Sequence, residues 1–186
     1  METDIGQVHL SIVRGDITKQ SDVDAVINAA NAQLAPGGCV AGAIHRAAGP
    51  ELARACRPLA PIAPGEAVIT PAFRLPNRYV IHCLGPVYGV DHPESELLAS
   101  CYRNALRLAE VHGLGSIACV AISTGIFGYP MAEAAKVALG TVLEEAPRLH
   151  TVRLVRFCLA DEKAQALFEQ TASSLLSAPS GGREAC

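Results

Sequence analysis

The sequence predicts an α/β fold with a mixed, mostly parallel central sheet covered by helices on both faces. Three observations carry that expectation. Short apolar runs alternate with longer helical patterns, as a sheet of parallel crossovers requires. Two neighbouring runs, 66–70 and 78–84, are close enough to pair directly and so make the sheet mixed. The chain has 186 residues, half of them apolar, which is enough for one domain with a substantial core.

Each element follows in order along the chain. After a few polar residues, Val8 to Val13 reads as a strand that ends in the turn Arg14-Gly15-Asp16-Ile17-Thr18. Asp24 to Ile27 is a second strand running straight into Asn28-Ala29-Ala30-Asn31. Ala32 to Val40 contains Pro36-Gly37-Gly38 and reads as a loop, and the Ala-rich stretch Ala41 to Ala48 as a helix. Glu51 to Leu59 is a further short helix, before strands at Glu66 to Thr70 and Arg78 to Leu84. Ser95 to His112 places Leu97, Leu98, Cys101, Ala105 and Leu108 on one helical stripe, which Gly113-Leu114-Gly115 ends. Ser116 to Ile122 is an apolar strand leading into a second glycine-bearing loop, Ser123 to Tyr129. Pro130 opens a helix to about Glu145, Val152 to Leu159 is the last strand, and Asp161 to Leu176 the last helix. Residues 1–176 form the domain, and the Ser/Gly/Pro-rich tail 177–186 is expected to be disordered.

Charge and cysteine usage exclude several function classes. With 15 Lys and Arg against 18 Asp and Glu, the net charge is −3 and no basic block exists, so no nucleic-acid partner is expected. The seven cysteines occur singly, without C-x-x-C pairs, so no metal site and a reducing, cytoplasmic setting are expected. The N-terminus lacks a signal-peptide pattern and no apolar run is long enough for a bilayer, so no membrane partner is expected. The pattern calls for no cofactor and leaves the oligomeric state open.

Both glycine loops follow apolar strands, and in an open α/β sheet such loops line the ligand crevice. Gly37 and Gly38 let backbone amides approach a ligand, with the helix after them adding the positive end of its dipole. Ser123-Thr124-Gly125-Ile126-Phe127-Gly128 offers two hydroxyls, two glycines and another helix start. Together the loops suit a diphosphate gripped from both sides. Taken singly, either loop is read more simply as a sharp turn that lets a helix pack back on the sheet. Neither matches the P-loop or a complete dinucleotide fingerprint.

The ordered blocks Gly15-Asp16-Ile17-Thr18, Asn28-Ala29-Ala30-Asn31, Gly37 through Gly49, Val80 through Pro86 and Ala121 through Pro130 resemble the macrodomain family, most of all its MacroD-type branch. The resemblance extends from about Val8 to Ala172. It implies a three-layer α/β/α macrodomain and a ligand of ADP-ribose or an ADP-ribosylated substrate. Asp16 would accept from the adenine amino group with the Ile17 amide on a ring nitrogen. Asn31 would contact the distal ribose and be the one catalytic residue. Gly37, Gly38, Cys39, Val40 and Ala41 would line the distal ribose and phosphate, and Ser123, Thr124, Gly125, Ile126, Phe127 and Gly128 would wrap the diphosphate. The activity implied is hydrolysis of ADP-ribosyl esters, on modified acidic side chains or on O-acetyl-ADP-ribose.

Several residues carry a plainer reading beside this one. Asp16 alone would be a turn or capping aspartate, and Phe127 a core residue. Asn28 is read as structural, bonding loose backbone groups. His45 and His82 are read as packed, locally satisfied histidines rather than acid/base groups. Three departures from the family pattern bear on function. Ala41 stands where MacroD-type hydrolases carry an aspartate, and its methyl group cannot take a proton. Alanine also stands there in viral-type macrodomains that hydrolyse ADP-ribosyl bonds, so hydrolase and non-catalytic reader both remain open. Losing a positioned general base costs about 10²–10⁴-fold if nothing replaces it. Cys39 replaces a third glycine, read as a tolerated small residue rather than a nucleophile. Ala160 precedes Asp161 where many members stack an aromatic residue on adenine.

Overall fold

The computed structural model describes residues 1–178, and the tail expected to be disordered lies outside the described residues from position 179 on. Seven strands are formed: β1 (Glu2–Ile5), β2 (Val8–Arg14), β3 (Ala25–Ala29), β4 (Ala67–Pro71), β5 (Tyr79–Cys83), β6 (Ser116–Cys119) and β7 (Leu154–Leu159). Between and after them lie α1 (Cys39–Ala48), α2 (Pro50–Cys56), α3 (Glu94–Val111), α4 (Met131–Glu145) and α5 (Glu162–Ser177).

The strands join one sheet in the order β1-β2-β7-β6-β3-β5-β4. The five inner strands are parallel and both edge strands antiparallel, so the sheet is mixed and mostly parallel as expected. The runs at 66–70 and 78–84 do pair, as β4 on β5 with Ile69 opposite Ile81.

Alternation along β5 assigns the helices to the two faces. Successive side chains of a strand point to opposite sides. His82 meets Thr70 and, from α2, Cys56, while Cys83 reaches the Cys101 carbonyl of α3. Helices α1 and α2 therefore cover one face, and α3 covers the other. On the α3 face the ring of Phe157 lies 5.9 Å from Tyr102 of α3 and 5.3 Å from Phe168 of α5, all three buried. No helix among the described residues is long and apolar enough to cross a membrane.

The structure corrects the sequence reading at four places. Residues 2–5 form an edge strand, not merely a polar lead-in. Its residues Glu2, Thr3 and Asp4 gave no apolar alternation because an edge strand half open to water needs none. Gly6, at φ 61, supplies the left-handed turn that folds this strand onto β2. Strand β6 ends at Cys119, three residues before the expected Ile122. Helix α1 begins at Cys39, so the end of the expected loop is its first turn. Ser177, assigned to the tail, closes α5.

At the sheet end remote from the glycine loops, Asp24 ties the start of β3 to the start of β6. Its Oδ2 accepts from the Gly115 amide at 2.7 Å, the Ser116 amide at 3.2 Å and the Ser116 hydroxyl at 3.3 Å. The ion pair to Arg78, 3.6 Å and largely exposed, adds little. Replacing Asp24 with Ala strands two amides, so the urea unfolding free energy should fall by about 1–3 kcal/mol, against about 0.5 kcal/mol or less for Arg78→Ala.

Candidate functional site

Strand β6 stops early while its neighbours continue. It pairs with β3 only at Ala25–Ile117 and Val26–Ala118, and with β7 as far as Cys119–Phe157. Strand β3 runs on beside β5 to Ala29, and β7 beside β2 to Leu159. The sheet thus splits at its carboxyl end between β3 and β7. A cavity of about 310 Å³ occupies the split.

Both glycine loops reach this one cavity. Asn31, Gly37, Gly38, Cys39, Val40 and Ala41 line it from the β3 side, and Ser123, Thr124, Gly125, Ile126 and Phe127 from the β6 side. A methyl group built on Gly38 would stand 4.0 Å from Ile126 Cδ1, so the loops nearly touch across the mouth. Asp16, Ile17 and Gly128, also expected at the site, lie outside the cavity lining. Asp16 sits beside its β7 wall: the Gly15 amide donates to the Leu159 carbonyl at 3.0 Å, and Leu159 lines the cavity.

Sequence reasoning missed part of the wall. Cys158, Leu159, Ala164 and Gly85 line the cavity, as do Ala29, Ala30, Val120, Ala121, Ile122 and Met131. The rule that sites form at strand carboxyl ends applied to β7 as well and could have found the first two. A Cβ on Gly85 would collide with Ser123 Oγ and the Ile122 side chain, so glycine here is what lets the second loop fold in.

The loops are shaped by local bonds. Asn31 clamps the chain after β3, its Nδ2 donating to the Ala35 carbonyl at 2.9 Å and its Oδ1 accepting from the Ala35 amide at 3.0 Å. One N–H and one lone pair of Asn31 stay free. In the second loop the Tyr129 amide donates to the Ser123 carbonyl at 2.9 Å, and Thr124 Oγ1 donates to the Ala121 carbonyl at 2.8 Å. Cys39 and Ser123 hold left-handed backbone, with φ 47 and 67, a conformation that favours glycine. At Cys39 this is the cost of a side chain on the loop's third glycine position.

The cavity's polar lining is mostly backbone, without cationic side chains. No Lys, Arg or His lines the cavity. Gly38 precedes helix α1 with no side-chain cap, so the first helical amides have no intrahelical acceptor, and Gly38 to Ala41 line the cavity. The amides of Gly125, Ile126 and Phe127 likewise have no acceptor among the described residues. Helix α5 differs, because Asp161 caps it by accepting from the Ala164 amide at 2.8 Å. An anion between the loops would be held by backbone N–H groups and a helix dipole, as phosphates often are.

Side chains suited to proton transfer are scarce. Asp161 is the one carboxylate on the wall, and it is engaged in its cap. Burial pushes the Cys158 thiol up to about 11, which keeps it protonated and poorly nucleophilic. Ala41 is buried against the cavity, with nothing to supply a base. Asp16 caps the turn Ile17–Lys19, where the hydroxyl and amide of Thr18 donate to Oδ1 at 2.7 and 2.9 Å and lower its pKa. Its second oxygen has no such partner.

His45 and His82 lie in the core, off the cavity. Asn28 Nδ2 is 3.1 Å from His82 Nδ1, and His82 Nε2 is 2.9 Å from Thr70 Oγ1. Asn28 thus meets a side chain and not the loose backbone expected, and its Oδ1 is buried without a protein partner. His45 packs with its ring centroid 6.5 Å from that of His82. Contrary to expectation, neither His45 nitrogen has a protein partner. Burial lowers the pKa of both rings.

Comparison with known proteins agrees with this geometry. The model of the Macro domain family matches residues 27–138. A macro domain-containing protein of Lactiplantibacillus plantarum is 48% identical over 170 residues, covering 90% of this chain and 98% of that one. An O-acetyl-ADP-ribose deacetylase of Salmonella typhimurium is 49% identical over 164 residues, covering 86% and 91%. Among solved structures, a mutant Oceanobacillus iheyensis macrodomain with ADPR superposes with a TM-score of 0.91 at 40% identity, over 96% of this chain and 99% of that one. The chain belongs to the Macro domain family.

The buried histidines give the fold a pH dependence of definite sign. Burial brings His82 from 6.5 down to about 3, so below pH 6.5 the unfolded chain binds a proton that the folded chain refuses. Stability is complete above 6.5 and falls on acidification, by up to ~1.4 kcal/mol per pH unit. Urea midpoints measured between pH 7 and 5, above the range where carboxylates titrate, should fall in the native protein. The slope should be shallower in His82→Gln, where His45, whose pKa moves in the same direction, is left opposed by His9, whose pKa is raised by its bonds to Asp4 and Glu2.

Proposed function

We propose that the protein binds ADP-ribose in the split of the sheet and hydrolyses ADP-ribosyl esters there, O-acetyl-ADP-ribose among them. The diphosphate lies between the 37–41 and 123–127 loops, the adenine towards Asp16 and Ala160, and the distal ribose beside Asn31. The observation that carries this reading is the pair of unsatisfied amide rows, at the start of α1 and at 125–127, in two loops that line one cavity without a cation. A diphosphate ester that already carries an organic group on both sides suits such a cradle better than a free multiply charged phosphate, which draws Lys or Arg. The deacetylase name of the Salmonella relative and the ADPR held by the Oceanobacillus neighbour support the same ligand.

In the reaction, water attacks the acyl carbonyl carbon and the bond from that carbon to the ribose oxygen breaks. The products are a carboxylate and ADP-ribose. Asn31 orients the water or the ribose hydroxyls through its free N–H and lone pair, because the other two positions are tied to Ala35. One water proton ends on the leaving ribose oxygen and the other is lost to solvent, directly or by way of the substrate's own phosphate, since the Ala41 methyl group offers no base. A reader that binds ADP-ribose without turnover is the second reading, and Ala41 is the residue that favours it.

Incubation with O-acetyl-ADP-ribose and with mono-ADP-ribosylated acidic peptide should release ADP-ribose faster than buffer. Asn31→Ala should cut that turnover by about 10-fold or more. Ala41→Asp should change it modestly, less than about 10-fold. Binding in the absence of turnover from either substrate would establish the reader instead, and a calorimetric preference for ATP over ADP-ribose would sink both readings.

A further inference from the structure

Strand β6 gives up its ladder at Cys119, yet the backbone from Val120 to Ile122 remains inside the core and forms the cavity wall. Buried N–H and C=O groups need partners. With β3 and β7 diverging on either side, the sheet no longer provides them. A side chain takes over. Tyr102 of α3, 2% exposed, donates its hydroxyl proton to the Val120 carbonyl at 2.9 Å and accepts from the Ile122 amide at 3.1 Å. One oxygen thus closes both bonds that the missing strand partner would have made.

We propose that Tyr102 is a positioning residue for the second phosphate-binding loop: its hydroxyl holds the end of β6 so that the amides of 125–127 point into the cavity. The inference rests on the diphosphate reading of that loop. It goes beyond that reading by placing one determinant of the loop's geometry in a side chain that lines no part of the cavity. The path is short. Ile122 precedes Ser123, whose left-handed turn is closed by the Tyr129 amide, and the three unsatisfied amides fall between those two residues. Phe157 packs on the Tyr102 ring and fixes its approach, so the hydroxyl has little freedom to follow a loop that moves. Phenylalanine at 102 would keep the ring and lose only the oxygen. Val120 and Ile122 would then be left to find other partners, and the loop after them would sample more than one arrangement.

The test compares the native protein, Tyr102→Phe and a control of similar lost stability in β2, Ile12→Val, by calorimetry with ADP-ribose and adenosine and by amide hydrogen exchange without ligand. Tyr102→Phe should weaken ADP-ribose binding by about 10-fold, adenosine binding hardly at all, and speed exchange at 123–127, whereas Ile12→Val should leave both affinities and that exchange unchanged. Equal ADP-ribose affinity and equal loop exchange in Tyr102→Phe and the native protein would overturn the proposal, whatever the melting temperature does. If the native protein itself fails to bind ADP-ribose, the functional reading falls, and unligated exchange at 123–127 still decides the role of Tyr102. Should Tyr102→Phe not fold, 3-fluorotyrosine at 102 keeps the oxygen and alters its hydrogen-bonding strength. Loop exchange that differs from native then supports the proposal, and identical exchange overturns it.

Discussion

The rest of the site depends on the early end of β6. Two parallel strands that flank a third are held about 10 Å apart by it, twice the spacing of neighbouring strands. Once the middle strand leaves the ladder after Cys119, β3 and β7 continue with nothing between them. Collapse of that gap is opposed by the covalent path of β6 itself, which bends through Val120 to Ser123 along one wall. It is opposed also by the loop after β3, which Asn31 and Ala35 brace on the other. The opening is therefore a consequence of topology and not of any one flexible loop.

A site made this way has backbone for its polar surface. Strand ends and helix starts supply N–H groups, and the surrounding side chains are small or apolar. Such a lining would favour one or two negative charges spread over several oxygens without the desolvation cost of burying lysine or arginine. It also explains why the net charge of the chain is uninformative about its ligand. An acidic protein can bind an anion when the positive ends of dipoles are concentrated at one point.

Which parts of this were legible in the sequence follows from the same physics. The parallel strands were readable because they are buried on both faces and show as continuous apolar runs, and the edge strand β1 was not, because half of it meets water. Gly37 and Gly38 were read as close-approach positions, and Gly125 as one glycine of the second loop. Gly85 was not singled out as a site residue, since its role is to admit Ser123 and Ile122, which lie 38 and 37 positions further along the chain. The break of β6 at Cys119 was hidden for a related reason: Val120, Ala121 and Ile122 are as apolar as the strand before them, and only the tyrosine hydroxyl 20 residues upstream of Ile122 tells their conformation apart from a fourth turn of ladder. The unpartnered nitrogens of His45 were equally beyond reach, because a helical pattern places a ring on the core side without saying what it will meet there.

The departures at Cys39 and Ala41 act on the same turn in different ways. At φ 47, Cys39 holds a conformation that costs a side-chain-bearing residue roughly 1–2 kcal/mol, and the fold sustains it because the turn is packed against itself. A Cβ on Gly42 would strike the Gly37 carbonyl, and one on Gly37 would lie 3.3 Å from Asn31 Nδ2, so the turn is packed closely at both ends. The strained residue thus sits in the same turn whose start Asn31 braces through Ala35. Ala41 removes a carboxylate from that first helical turn, where a negative charge would be stabilised by the dipole and would also compete with a bound phosphate for it. Without it, more of the dipole is left for the anion and none of the base for a water molecule. On the proposed reading, the loop as it stands favours holding a diphosphate, and any chemistry beside it would draw on Asn31, the backbone and the substrate.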